Sequence, residues 1–199
     1  MRFTPPYDID YSQRTPSPDV DELFYQRWSP RSLKKALLPD DVVTTVLDAA
    51  RWSPSAFNEQ PWLFITSSTE DEFNTFLDLL TETNRSWAKD ASLLGFIFAK
   101  RNHAHNSSPN RLSFFDCGAA WMAMTLQARK FGLYTHGLGG ILRDKTYGVL
   151  NVPEDIYEVI CGFTLGVIDM PEKLEDEFKA RESPSPRKSL NEIWKKGQF

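Results

Sequence analysis

The chain has 199 residues, 41% of them hydrophobic and 25% charged, and a formal charge of −4. That is one domain's worth of sequence, apolar enough to bury a core without reading as membrane-spanning. The acidic balance offers no global field for nucleic acid, so any anion site has to be assembled locally from a few basic side chains. Cys117 and Cys161 form neither a disulfide framework nor a paired metal motif and read as reduced thiols of a cytoplasmic protein.

Residues 1–22 carry Asp8 and Asp10 and no apolar core segment, so they are expected to be an extended arm rather than a signal or transit peptide. Residues 23–199 are expected to form a single domain. Helical pattern begins in DVDELFYQR and breaks in WSPRSL, where Pro30 disfavours helix at Ser29. PDDVVTTVLDAARW then sets Val42, Val43, Val46, Leu47 and Ala50 at helical spacing, with Asp40 and Asp41 suited to the positive end of the dipole.

SPSAFNEQPW turns the backbone with two prolines and small residues, yet it carries two amides, Asn58 and Gln60, and closes on Trp62, which reads as a core aromatic. WLFITSS is a short strand, and Thr69 with Glu72 stands in capping-box spacing before a helix over FNTFLDLLTE. SLLGFIFAK is apolar on both faces, as a strand covered on two sides requires. RNHAHNSSPN is a polar loop. Residues 112–131 predict a long helix, apolar nearly all round, with Gly118, Ala119 and Ala120 admitting close approach of another helix. Its Asp116 and charged end argue against a membrane span. HGLGG reads as a turn-rich connection, RDKTYGVLNVPED as a short helix and loop, and YEVICGFTLGV as a third buried strand. Asp169 with Glu172 is read as capping a further helix. Strands interleaved with helices predict a sheet with helices on both faces. No glycine-rich dinucleotide fingerprint or NTPase phosphate loop is present.

RWSPRSL, ARWSPSAFNEQPWLFI, DASLLGFIFAK, FFDCGAAWMAMTLQARKFGL, HGLGGI and PRKSLNEI, in that order, resemble the motifs of the FMN-dependent nitroreductase family over roughly residues 23 to 193. The resemblance implies an α+β fold, a three-layer α/β/α sandwich with a central mixed β-sheet, in an intertwined homodimer with FMN at each subunit interface. It also implies hydride transfer from NAD(P)H through flavin N5 to a nitroaromatic, quinone or activated alkene by a ping-pong sequence, with the flavin and no side chain as the catalytic group. Other reactions of the same scaffold, namely enone reduction, dehalogenation or flavin breakdown, and a flavin-binding or flavin-sensing role with little turnover, are the alternatives. Small molecules and a second copy of the chain are the expected partners, with no nucleic acid or membrane.

The residue types suit FMN, which presents a phosphate dianion, a polyol and a flat ring with one polar and one dimethylated edge. By resemblance, Arg27 and Ser29 lie at the phosphate and ribityl end, Trp28 between them counts among the cofactor-binding residues, and Arg31 reaches the N1/O2 edge, where a cation favours the reduced, anionic flavin. Arg187, with Lys188 beside it, supplies the C-terminal phosphate contact, and Ser185 stands where many relatives carry a second basic residue. Pro54, Ser55 and Ala56 of the neighbouring subunit wall the dimethylbenzene end, Asn58 points to ribityl or ring oxygens, and Gln60 turns to the loop's own backbone. Phe57 narrows the substrate pocket. Asn84 serves the pyrimidine edge, Trp87 stands where some relatives carry Lys, and Gly139 and Gly140 offer backbone amides to N5 and O4.

Three groups are set aside. His136 reads as structural. His103 and His105 could face one side toward a metal, but three histidines without a nearby Cys or acidic cluster predict no metal site. Asp116, three residues after Ser113, reads as half of a capping box.

Overall fold

The computed structural model describes residues 2–198. The arm has no regular structure before residue 22, yet it is docked: the Phe3 N–H donates to Phe131 O at 2.7 Å, and Tyr7, Ile9 and Tyr11 pack on the core. Gly132 has φ +77°, and a Cβ there would collide with the Phe3 carbonyl, so both the turn and the docking of the arm select glycine.

Helix α1 (Glu22–Gln26) is a single turn capped by Asp21, whose side chain accepts from Leu23 N. After β1 (Leu33–Lys34), α2 (Asp40–Arg51) buries Val42, Val46 and Ala50 at intervals of four residues. β2 (Trp62–Thr66) leads to α3 (Glu70–Leu77), whose Thr69–Glu72 capping box is formed as expected, and to α4 (Glu82–Ala88). β3 (Leu93–Lys100) is buried along nearly its whole length. α5 (Ser113–Lys130), β4 (Leu133–Leu138), α6 (Arg143–Leu150), β5 (Tyr157–Ile168), α7 (Asp176–Lys179) and α8 (Leu190–Ile193) complete the chain.

β5 is the organising strand, pairing with β1, β3 and β4, while β2 adds to β3. Among the described residues every strand pair is antiparallel, which corrects the expectation of a mixed sheet. β3 and β4 flank β5 and run the same way, but β5 lies between them, Phe163 facing both Gly95 and Gly137, so the two never meet as a parallel pair. β1 and β4 were not foreseen as strands. β4 contains the HGL of HGLGG, whose glycine reads as a turn locally and is overridden by six paired positions along β5.

Side chains alternate across the sheet into two cores. Leu94, Phe96 and Phe98 of β3 join Phe73, Phe76, Trp87 and Ala88 of α3 and α4. Leu93, Ile97 and Ala99 face Val42, Val46 and Ala50 of α2 and Cys117, Ala120, Met124 and Ala128 of α5. The result is the expected three-layer α/β/α arrangement. Asp169 does not cap a helix. A short 3-10 turn over Pro171–Lys173 starts from Met170, and the Asp169 carboxylate pairs with Lys173 Nζ at 3.1 Å. Among the described residues no helix is long and apolar enough to cross a membrane.

Candidate functional site

A cleft of about 330 Å³ opens where the arm, the segment after α1 and the C-terminal segment meet. Arg14, Arg27, Ser29, Arg31, Ser185 and Arg187 are among its lining residues. The chain leaves α1 in extended conformation at Arg27, which alternates the side chains that follow. Trp28 turns inward, almost fully buried and edge-on to Tyr134 with ring centroids 6.3 Å apart, and reaches the cleft only with its margin. Arg27 and Ser29 line the cleft, with Arg27 Nη1 3.3 Å from the Ser29 hydroxyl.

Arg187, 160 positions later, faces the same space. Pro184 is buried, and Arg187 Nη1 donates to the Ser185 carbonyl and hydroxyl, each at 3.1 Å. Arg14 joins the three segments, its Nη1 donating to Tyr25 O at 2.6 Å and Arg27 O at 2.7 Å, its Nε to Ser185 O at 3.1 Å. Burial, and then Arg187, hold the Arg27 guanidinium below its ordinary pKa. Arg14 is lowered by burial and by both Arg187 and Arg27. Among the described residues no carboxylate forms an ion pair with Arg14, Arg27 or Arg187. Three guanidinium groups thus converge with their mutual repulsion uncompensated by protein, an arrangement that a multiply charged anion relieves.

Arg31 sits further along, its guanidinium over the rings of Trp87 at 5.8 Å and Phe178 at 5.6 Å. Its backbone N–H and that of Ser32 donate to Glu182, whose carboxyl is raised by burial. His136 rises from β4 into the cleft, its ring tilted by 47° against that of Trp87 with centroids 4.7 Å apart, and with Nδ1 3.1 Å from Pro30 O. Burial pushes its pKa down to about 4, so the ring is neutral near pH 7, in keeping with its structural reading.

Just past β4, Asn84 Nδ2 and Thr81 Oγ1 both donate to Gly140 O, at 3.1 and 3.2 Å. A Cβ on Gly140 would lie 2.5 Å from Thr81 Oγ1 and 2.7 Å from Asn84 Nδ2, whereas one on Gly139 would meet nothing within 4 Å. Asn84 is therefore a brace for the glycine pair, and Gly139 presents bare backbone to open space.

Residues 54–58 do not line this cleft. Their loop contains a 3-10 turn over Ala56–Asn58 with left-handed backbone at Phe57 and Asn58, φ +54° for both. Gln60 turns back on the loop as expected, its Nε2 donating to Asn58 O at 3.0 Å. The loop is pinned by Asp116, whose Oδ2 accepts from Ala56 N at 3.1 Å. That corrects the capping-box reading: Ser113 is already inside α5, Leu112 is the N-cap, and Asp116 is buried. Around the loop Trp52, Phe57, Phe115 and, less fully, Phe114 are exposed, an apolar surface on this chain.

The cleft therefore unites Arg27, Trp28, Ser29, Arg31 and Arg187. Asn84, Gly139 and Gly140 form a braced unit after β4, the strand that also supplies His136. Pro54, Ser55, Ala56, Phe57 and Asn58 lie apart, and Lys188, exposed beyond Arg187, does not line the cleft. Sequence reading missed Arg14, Glu182 and the role of Asp116. Arg14 lies in an unpatterned arm, and its only advance signal was the absence of a second basic residue at Ser185, whose carbonyl it now holds.

Residues 25–95 and 74–167 match the family model described as the nitroreductase family. A crystal structure described as an oxidoreductase containing FMN is 38% identical, with 94% of this chain and 96% of that one covered, at a TM-score of 0.88. An Archaeoglobus fulgidus protein provisionally named an NADH dehydrogenase/NAD(P)H nitroreductase is 25% identical over 87% of this chain and 97% of its own length. A nitroreductase-like protein from Exiguobacterium sibiricum, solved in complex with FMN, shares the fold at a TM-score of 0.73 and 20% identity, with 91% of this chain and all of that one covered.

Proposed function

The chain belongs to the nitroreductase family, and from that premise we propose that it is an FMN-dependent oxidoreductase. Its electrons come from NAD(P)H and pass to small electron-poor acceptors, nitroaromatics, quinones or activated alkenes, in a ping-pong sequence. The observation that carries this reading is the convergence of Arg14, Arg27 and Arg187, unpaired by any described carboxylate, on one cleft. Such a surplus fits a phosphate dianion, which planar guanidinium forks clamp by charge-assisted bonds.

When bound, FMN supplies reversible two-electron chemistry between the nicotinamide and the acceptor. The chain's own residues bind and tune it. Arg14, Arg27, Ser29 and Arg187 would hold the phosphate and ribityl end. Arg31, its guanidinium over the rings of Trp87 and Phe178 and its backbone held by Glu182, would place a preorganised cation toward the polar edge of the ring. Asn84, braced on Gly140 O, keeps its Oδ1 available to an N–H donor, and the open space at Gly139 admits a planar group against backbone. His136, neutral near pH 7, serves as a wall rather than a proton store.

Pro54, Ser55, Ala56 and Asn58 reach a flavin only if a second chain brings them, and the exposed Phe57, Phe115 and Trp52 beside them supply an apolar surface for that homodimer. The test is direct. Purified protein should retain or take up FMN with one flavin per chain, bleach on NADPH or NADH under nitrogen, and recover its colour on adding a quinone or nitroaromatic. Protein that cannot be loaded with FMN would overturn the reading. Loaded protein that ignores both nicotinamides would leave a flavin-binding role in place of the reductase.

A further inference from the structure

A second cluster lies outside the arginine cleft, and it corrects the expectation that no acidic group stands near His103 and His105, because the fold brings Glu59 beside them from 44 positions earlier. One donor atom from each of Glu59, His103 and His105 lies within 4.8 Å of the other two. The Glu59 side chain is only 6% exposed and the His103 side chain 14%, while His105 is half exposed. Glu59 Oε1 stands 2.8 Å from His105 Nδ1 and 3.6 Å from His103 Nδ1, and the latter nitrogen is buried without a hydrogen-bond partner.

The surroundings orient these groups. Glu59 Oε2 accepts from Ala104 N at 2.9 Å, which fixes the carboxylate and leaves Oε1 aimed between the imidazoles. The histidine loop is closed on itself, His103 N donating to Ser108 O at 2.8 Å and Ser107 N to His103 O at 3.0 Å, so residues 103 and 105 project together. The Phe57 ring covers one side of the cluster, 5.9 Å from the His103 ring and 5.5 Å from that of His105. Two imidazoles and one carboxylate, with the carboxylate held by a backbone N–H and one flank apolar, make a built donor set with a coordination position left open. Nitrogen donors in this number favour a zinc-type transition ion over magnesium or calcium.

We propose that Glu59, His103 and His105 bind a single divalent transition-metal ion of zinc type, which staples the loop after α2 to the loop after β3. Donors around such an ion lie about 2.0 to 2.2 Å from it, hence roughly 3 to 3.5 Å from each other, and the present separations are close enough for side-chain adjustment to supply the rest. The ion would satisfy the orphaned His103 nitrogen and rigidify the chain on either side of Phe57. The inference does not rest on the flavin reading, because it is argued from the three side chains and their own surroundings, and metal binding is measured on protein without added flavin.

The experiment uses the purified full chain, stripped with a chelator and then freed of it, and titrated with Zn²⁺ by calorimetry and with Co²⁺ by visible absorption. The expected result is saturable binding of one ion per chain and the intense visible bands of low-coordinate Co²⁺. Both should be lost in His105→Ala, and Zn²⁺ affinity should fall by about tenfold or more in Glu59→Gln. His105 is half exposed, so its variant tests the site even where His103→Ala fails to fold. Absence of saturable binding, or Zn²⁺ and Co²⁺ binding that persists unchanged in His105→Ala, would overturn the assignment.

Discussion

The Asp116 carboxylate, buried within α5, accepts a 3.1 Å hydrogen bond from the backbone N–H of Ala56. A long apolar helix and a loop 60 positions earlier are thereby held in one register, and the loop's left-handed turn at Phe57 and Asn58 begins from a fixed point. Replacing the acceptor strands a backbone donor. Asp116→Ala should lower stability by about 1.5 to 3 kcal/mol, read as a fall in the urea midpoint, with part of the loss recovered in Asp116→Asn. An unchanged midpoint would mean that the bond contributes nothing net.

Arg27→Ala and Arg187→Ala should each weaken FMN binding by about 1.5 to 3 kcal/mol, the range for a hydrogen bond to a charged group. The double variant should lose more than the sum, because relief of their mutual repulsion already offsets each single deletion and none is left to offset the second. Flavin fluorescence titration at two ionic strengths measures both. Arg14→Ala should weaken FMN as well, and it should also loosen the arm, since three carbonyls lose their donor. Lys188→Ala should leave the affinity within about twofold, as expected of an exposed side chain away from the cleft.

The two neighbouring glycines should part company. Gly140→Ala forces Thr81 and Asn84 apart and should cost about 1 to 3 kcal/mol of stability in flavin-free protein. Gly139→Ala enters open space and should leave that stability within about 0.5 kcal/mol, yet reduce FMN affinity if the ring lies against this backbone. Thermal melts without flavin and titrations with it separate the two effects. Equal behaviour of both variants in both measurements would remove Gly139 from the ring site.

Acid sensitivity should carry the mark of His136. The unfolded chain protonates an imidazole near pH 6.5, whereas burial delays this to about pH 4 in the fold. Between those values the unfolded state binds more protons, so stability present above the upper value is lost as pH falls toward the lower one, by on the order of 3 kcal/mol. Glu182 slopes the other way, since a carboxyl raised in the fold adds stability at low pH and loses it as pH rises. The difference between wild type and His136→Gln therefore isolates the histidine. The variant should show a flatter decline across pH 6.5 to 4, measured by urea unfolding, and an identical slope would refute the assignment.

Phe115 is 77% exposed on α5, one residue before the Asp116 that holds the 54–58 loop, whose proposed contact with flavin would require a second chain. Phe115→Glu should shift the protein toward monomer in sedimentation and lower its flavin content. A variant that remains dimeric would move the interface elsewhere.

Much of the fold was legible because its signals are local. The helical spacing of Val42, Val46 and Ala50 appears in the structure on one buried face, and the Thr69–Glu72 capping box forms both of its bonds. LLGFIFAK reads as a doubly covered strand, and its side chains do divide between two cores. Signals depending on a distant partner failed. HGL is a strand only because β5 runs beside it, and Ser113 with Asp116 imitates a cap whose true first residue is Leu112.

The sequence by itself settled the family, through ordered motifs spread along most of the chain, and with it the residue types that suit a phosphate and a flat ring. Only tertiary structure decided which charges meet. Arg14 and Arg187 are 173 positions apart, Glu59 and His103 are 44 apart, and no periodicity links either pair. Local pattern records which face of an element is apolar, because burial imposes that on every turn of helix and every second residue of strand. Which guanidinium or imidazole ends beside another depends on how strands order around β5 and how the arm and tail dock. Those long-range choices are made by packing of the whole chain.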